Sequence, residues 1–356
     1  METPGARLTS LDALRGLDML IIMGVDALVY ALYPVSGGGE AWKFIREQMG
    51  HAPWEGLRLY DCVFPLFVFM SGMAMCFSHL RRIDAPLGKT LRHLWGRALA
   101  LVLLGFLVNG NISWDLSTMR CASVLGLIGL SGALAGTFTL LCGGRMLPNL
   151  ALAGLILCGV GVAQQLGGDY TPGGCFNARV DALLCPGVLH SGSYDPEGPF
   201  CIISATALSL LGYCAGRLFL NIERGPLRVS TMLVCGLILL AGGWCLPCIK
   251  GIWTPGFVLS CAGISAILMA IFHLVIDVLG LVRWCLPLRV VGLNALAIYI
   301  LTHLISFPML TNRMLGGTWA LFLTPEWQRV ANAAAALLLA WWLCWFLYRK
   351  RVFIKL

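Results

Sequence analysis

His51 and Asp61 stand ten residues apart in His51-Ala-Pro53-Trp54-Glu55-Gly56-Leu57-Arg58-Leu59-Tyr60-Asp61, a segment leading into a long apolar run. An imidazole titrates near neutrality, so it can take a proton and give it back. Titratable groups at the edge of hydrocarbon are costly to keep, which makes this stretch the first place to look for chemistry. His51 reads as a general base at a cavity mouth; the plainer reading is a loop histidine bonded to a backbone carbonyl. Asp61 can orient His51 or neutralise Arg58, and sequence does not choose between them. Pro53 and Trp54 stiffen the approach. Trp54 also reads as an interfacial anchor and substrate contact, and Glu55 as a rim residue.

Other candidates lie far from this segment in sequence. Ser10 reads as a helix cap, with Asp12 in the first helical turn and Arg15 three residues on, close enough to pair. Arg15 is also a candidate anchor for an anionic ligand. Asp26 sits about two turns deeper among apolar neighbours, where a carboxylate must pair, protonate or face water. Arg120 opens an apolar helix, either snorkelling or meeting Asp61, Asp115 or ligand oxygens. Asp195 and Glu197 sit in a polar turn ahead of another helix, where turn chemistry alone also explains the sequence. One late segment carries Asn294, Tyr299, Thr302 and His303, a polar stripe that lines a cavity or bonds helix to helix.

The elements that must position these residues are membrane spans. Apolar residues make up 58% of the chain and charged residues 12%, about half the charge of a soluble domain at roughly 25%. Mean hydropathy is +0.82. The apolar residues come in runs near the ~20 residues that cross hydrocarbon. These predict an all-α polytopic membrane protein with spans at 17–35, 59–78, 97–113, 120–141, 147–165, 200–220, 230–247, 254–276, 290–309 and 329–348. With the N-terminus inside, 17 of the 25 Lys and Arg fall on the inner side, as the positive-inside rule expects. Both termini are then cytoplasmic, and the net charge of +8 reflects topology, with no nucleic-acid surface. No cleavable signal is visible, and residues 1–356 read as one transmembrane domain. The short inner loops leave no room for a soluble nucleotide-binding domain, so catalysis must lie within or at the rim of the bundle.

Most of the fifteen cysteines fall inside predicted spans, where Cys acts as a small apolar residue. Cys175 with Cys185, or Cys245 with Cys248, can close as a disulfide in an oxidising compartment. The second pair spells Cys-x-x-Cys, a weak redox signal without a thioredoxin-like unit around it. No metal site is expected.

Taken together, the motifs resemble those of the heparan-alpha-glucosaminide N-acetyltransferase family, including bacterial members without a luminal domain. The matching pieces are Arg7 to Gly16, His51-Ala-Pro-Trp-Glu-Gly56, Asp61-Cys-Val-Phe-Pro-Leu-Phe-Val-Phe69, Ser113-Trp-Asp115 with Arg120, Asp195-Pro-Glu-Gly198, Gly212-Tyr-Cys-Ala-Gly216-Arg217, Gly292-Leu-Asn294 and Tyr348 to Lys355. Order and spacing together carry the resemblance.

That resemblance implies a transmembrane acyltransferase moving an acetyl group from cytosolic acetyl-CoA to an amino sugar or other glycan across the bilayer. The family's luminal histidine falls on His51. Its first-span asparagine falls near Asp26, here a carboxylate, and its Val-Leu-Gln-Arg segment reads Val124-Leu125-Gly126-Leu127 here. The catalytic set expected is His51, Asp26 and Asp61. Arg15, Asn294 and Arg120 are expected to hold the donor or its oxyanion, and Trp54, Asp195, Glu197 and His303 the acceptor. By analogy the site of action is a bacterial inner membrane, and a homodimer is compatible. Direct transfer and an acetyl-histidine intermediate both fit. Two rivals remain. One is an acyltransferase superfamily sharing the Leu11-to-Gly16 pattern but with a histidine in the first span, which this chain lacks. The other is a transporter or flippase for a sugar or lipid-linked sugar, with Asp26, Arg120 and His303 on a proton path and no inverted repeat to support it.

Overall fold

The computed structural model describes residues 8–81, 86–111, 115 and 117–354, with the backbone alone at 79–81. Arg7, Arg82, Ser113, Trp114 and Lys355, used in the sequence reading, lie outside the described residues. The protein is an all-α polytopic membrane protein. Among the described residues nine helical segments are long and apolar enough to cross a bilayer. One further helix pair, bent by 72°, passes the same test when its two halves are taken as one segment.

The first span, Thr9–Val35, consists of α1 (Thr9–Leu20), a π-helical turn (Ile21–Val25) and α2 (Asp26–Val35). It starts eight residues before the predicted 17–35, because Asp12 and Arg15 do not interrupt a helix whose backbone is satisfied internally. Ser10 lies inside the first turn and its hydroxyl caps nothing. Gly24 adopts φ +136°, a value an L side chain rarely tolerates, and breaks the span just before Asp26. Next come α3 (Glu40–Gln48), a 3₁₀ turn (Leu59–Cys62) running into α4 (Val63–Arg81), α5 (Leu87–Val108), α6 (Val124–Leu141) and α7 (Met146–Leu166). The Ser123 hydroxyl accepts the Gly126 N–H and starts α6 there. Arg120 is therefore in the preceding loop, not in the helix that the prediction began at 120.

The chain continues through α8 (Phe176–Leu184), α9 (Pro199–Asn221), α10 (Gly225–Trp244), a 3₁₀ turn (Lys250–Ile252) and α11 (Pro255–Phe272). It ends with α12 (Leu286–Gly292), α13 (Ala295–Leu304), α14 (Phe307–Phe322) and α15 (Pro325–Arg349). The predicted 290–309 span is thus the broken pair α12 and α13, and the short helices α3, α8 and α14 were not expected. All fifteen cysteines are free. Cys175 and Cys185 flank the nine-residue α8, which holds them about 15 Å apart at 1.5 Å per residue. A disulfide tolerates no more than about 7 Å between Cα atoms, so this pair cannot close.

Helices α4, α9 and α11 form the centre, where Phe69, Met73, Leu208, Tyr213 and Phe257 are all fully buried. Helix α1 crosses α12 so closely that a Cβ on Gly16 would lie 1.8 Å from the Leu288 carbonyl oxygen, and one on Gly292 2.0 Å from that of Asp12. Small residues at such crossings let backbones approach. The crossing sets Asp12 and Arg15 beside the break between α12 and α13.

Candidate active site

The loop carrying His51 is tied to two other loops. Glu55 bridges antiparallel to Ile249, and the Gly56 N–H donates to the Cys248 carbonyl at 2.8 Å. Trp54 donates its indole N–H to the Tyr170 carbonyl at 2.5 Å and packs edge-on against Tyr194, ring centres 5.3 Å apart. The Arg58 guanidinium donates to the His51 carbonyl at 2.9 Å, so it does not neutralise Asp61.

Asp61 is fully buried at the mouth of α4. Its Oδ2 accepts the backbone N–H groups of Ala52 and Arg58, both at 3.1 Å. Its Oδ1 lies 2.8 Å from His51 Nδ1 and 3.3 Å from Lys250 Nζ. Lys250 Nζ is also 2.9 Å from His51 Nδ1 and 3.5 Å from Nε2. The imidazole side chain is 55% exposed. Asp26 joins at one remove: it accepts the Tyr60 hydroxyl at 3.2 Å, and the Tyr60 ring lies 5.0 Å from that of His51.

A second ion cluster is built on the loops 109–123 and 185–198. Arg120 bridges antiparallel to Gly187, while Asn109 and Asn111 donate to its carbonyl at 3.4 and 2.7 Å. Its guanidinium grips Asp195 through two N–H bonds of 2.7 Å and also meets Glu197. It therefore pairs with neither Asp61 nor Asp115, which instead caps the Ser117 N–H at 2.9 Å. Burial lowers the Arg120 pKa, but the two carboxylates outweigh it and the net shift is upward. Burial raises Asp195, and Arg120 more than reverses it, so this carboxyl ends below its usual range. Glu197 goes the other way: burial pushes it up to about 7, with the Arg120 charge opposing and Asp195 adding. Burial likewise lifts Asp181 to about 6. His190 sits between the two clusters. Burial lowers its pKa, the charges of Arg120, His51 and Lys250 act on it, and its backbone N–H donates to Asp195 at 3.1 Å.

Against the opposite end of α4 lies a cavity of about 660 Å³ lined by Asp12, Arg15, Ser71, Ser78, His93, Arg97, the α12–α13 break and Ile354. Pockets of about 300–1,000 Å³ hold small molecules and cofactors. A smaller cavity of about 50 Å³ shares Phe67, Leu125, Ile128, Ala295 and Leu296 with it, and adds Phe64 and Tyr299. Phe64 and Phe67, three residues apart on α4, line the smaller cavity, and Tyr60 stands in the 3₁₀ turn before them. Tyr299 lies within the electrostatic field of Glu197 and Arg120.

Asn294 is fully buried, but its amide is occupied. It donates to the Val352 carbonyl at 3.1 Å and accepts the Ile354 N–H at 3.0 Å. His303 is exposed near the end of α13, with its Nδ1 2.8 Å from the Tyr299 carbonyl. The described contacts bring neither residue to His51. Arg15 lines the chamber, 3.8 Å from Asp12. Among the described residues no group of His, Cys, Asp and Glu could hold a metal ion.

No protein-family model matches the chain. Similarity does appear to curated proteins. Heparan-alpha-glucosaminide N-acetyltransferase of Homo sapiens is 25% identical over 98% of this chain. The Mus musculus protein of the same name is 24% identical over 83% of it. The chain is a relative of this family. It spans only about 60% and 54% of the lengths of these two relatives.

Lys250, His190 and Tyr60 were not among the residues singled out from sequence. Tyr60 had a signal, since it adjoins Asp61. Lys250 had a fainter one: it and Lys43 are the only lysines assigned to the outer loops.

Proposed function

We propose that the protein is a transmembrane acetyltransferase that carries an acetyl group from cytosolic acetyl-CoA to the amine or hydroxyl of a sugar on the far side of the membrane. One observation carries the reading: an accessible imidazole oriented by a buried carboxylate at one end of α4, with a chamber bearing cationic residues at the other. The chamber follows α4 from Phe67 to Ser78, so at about 1.5 Å per residue its far end lies about 25 Å from Asp61, most of the ~30 Å hydrocarbon thickness of a bilayer. Arg15, His93 and Arg97 suit the phosphates of an anionic carrier, and the pantetheine arm would run past Phe67 and Phe64. The names of the relatives support an acetyl donor and a glucosamine-type acceptor. Both termini would be cytoplasmic, in a bacterial inner membrane.

In the direct route, His51 Nε2 takes the proton from the acceptor nitrogen or oxygen as that atom attacks the thioester carbon. Asp61 holds the Nδ1–H tautomer that leaves the Nε2 lone pair free. The tetrahedral intermediate then expels CoA thiolate, which takes the proton back. Asp26 acts on this site through Tyr60.

His51→Ala in proteoliposomes, with labelled acetyl-CoA and an amino-sugar acceptor, should lose at least about 10³-fold in transfer and in CoA release while folding normally. Full activity would refute the role of His51. Sugar uptake without acetyl-CoA would instead point to transport.

A further inference from the structure

We infer that Lys250 is a catalytic residue whose ammonium receives the oxyanion formed when the thioester carbonyl is attacked; the inference rests on the reaction proposed above. Lys250 Nζ stands 3.5 Å from His51 Nε2 and 2.9 Å from Nδ1, with Asp61 Oδ1 at 3.3 Å. Nδ1 cannot serve both neighbours. If it accepted from Lys250, its lone pair would face Asp61 Oδ1 at 2.8 Å. The proton therefore sits on Nδ1 and goes to Asp61. Lys250 faces the same oxygen as an ion pair at 3.3 Å and, with three N–H groups, has donors to spare. The acceptor atom must approach within about 3 Å of Nε2 for proton transfer, and the carbonyl it attacks is one bond further on. That places the carbonyl oxygen within reach of the remaining Lys250 N–H groups.

The two other expected oxyanion donors are placed elsewhere: Arg120 grips Asp195 and Glu197, and the Asn294 amide holds Val352 and Ile354. Arg58, beside the site, donates to the His51 carbonyl. Lys250 also stands on a rigid base. The Ile249 N–H donates to Thr254 Oγ1 at 2.9 Å, and the Gln164 and Asn177 amides donate to the Ile252 carbonyl at 2.8 and 3.2 Å. Trp253, fully buried, closes the turn in a left-handed conformation at φ +48°. A fixed donor of this kind needs no reorganisation as charge develops.

In the step itself, the acceptor forms its bond to the carbonyl carbon while its proton goes to Nε2. The carbonyl π pair moves to oxygen, beside the ammonium. On collapse that pair re-forms C=O and the C–S bond breaks. The thiolate leaves with the bonding pair and is protonated from the imidazolium. Lys250 neither gains nor loses a proton.

The test uses the full chain in proteoliposomes with labelled acetyl-CoA. Lys250→Met should lower kcat by about 10²–10³-fold, the usual cost of one oxyanion donor, with KM for acetyl-CoA within about threefold of wild type. Lys250→Arg should recover at least about tenfold of the loss. Should Lys250→Met not fold, Lys250→Gln, which keeps an N–H donor without the charge, should fold and still lose about tenfold or more in kcat. Met- or Gln-variant kcat near wild type, a loss confined to KM, or no gain from Arg would overturn the assignment. An inactive His51→Ala beside an active Lys250→Met sinks this inference alone; an active His51→Ala sinks the reaction it rests on.

Discussion

The two ion clusters differ in how far their groups are used. In the first, the imidazole side chain is 55% exposed and an ammonium lies beside it, 2.9 Å from Nδ1 and 3.3 Å from Asp61 Oδ1. In the second, Arg120 lies clamped between Asp195 and Glu197, with Asp195 also taking the His190 and Glu197 N–H groups at 3.1 and 3.0 Å. A guanidinium with carboxylates on both sides holds loops together. A cluster with unused capacity facing a solvent-accessible opening can act on a ligand. Charge density alone does not separate them; exposure does, since the His51 side chain is 55% exposed and that of Arg120 23%.

That contrast can be broken most sharply at Asp61. Asp61→Asn keeps the shape but removes the charge that holds the Nδ1–H tautomer and the Lys250 ammonium. Activity should fall by about 10³–10⁴-fold, as when the orienting carboxylate of a hydrolase triad is amidated. Acetyl-CoA binding, measured by calorimetry, should survive; a variant as active as wild type would make the first cluster structural as well. At the second cluster the effect should appear in stability instead. Arg120→Met leaves two carboxylates buried without their partner, a change that costs about 3–5 kcal/mol. Its melting temperature in detergent should drop clearly, and folded protein recovered at lower temperature should retain substantial activity.

The smallest effect sharpens the comparison through pH. Glu197 titrates near 7, against an ordinary value near 4.5. Between those values the native state binds more protons than the unfolded one, so its contribution to stability falls as pH rises. It is fully favourable below about 4.5 and fully lost above about 7. Glu197→Gln should flatten the fall in melting temperature between pH 5 and pH 7.5, about the window just defined. An unchanged slope would place that titration elsewhere.

Most of the spans were legible because hydrocarbon demands length and apolarity, and both are written along the chain. The ends were less so. A polar residue such as Arg15 can ride inside a helix, and Ser123 moves a start by a few residues with a single hydroxyl. The break at α12–α13 appeared only as Gly and Asn within an apolar run. In the site, His51 and Asp61 share one short segment, so their pairing was within reach of sequence. Arg120 meets Asp195 across 75 residues, and Lys250 meets His51 across 199. Only the packing of the loops brings such groups together, and no local pattern encodes it. Asn294 was rightly marked as a polar residue inside a span, but its partner is the backbone of the tail.

That tail closes the break in α12–α13. Asn294 holds residues 352 and 354 as a short tether, and Ile354 forms part of the chamber wall. A bulky group fused just beyond this point, as in common reporter fusions, would lean on the floor of the chamber from 300 residues away from the imidazole in sequence. Its mechanical effect would fall on whatever occupies that space.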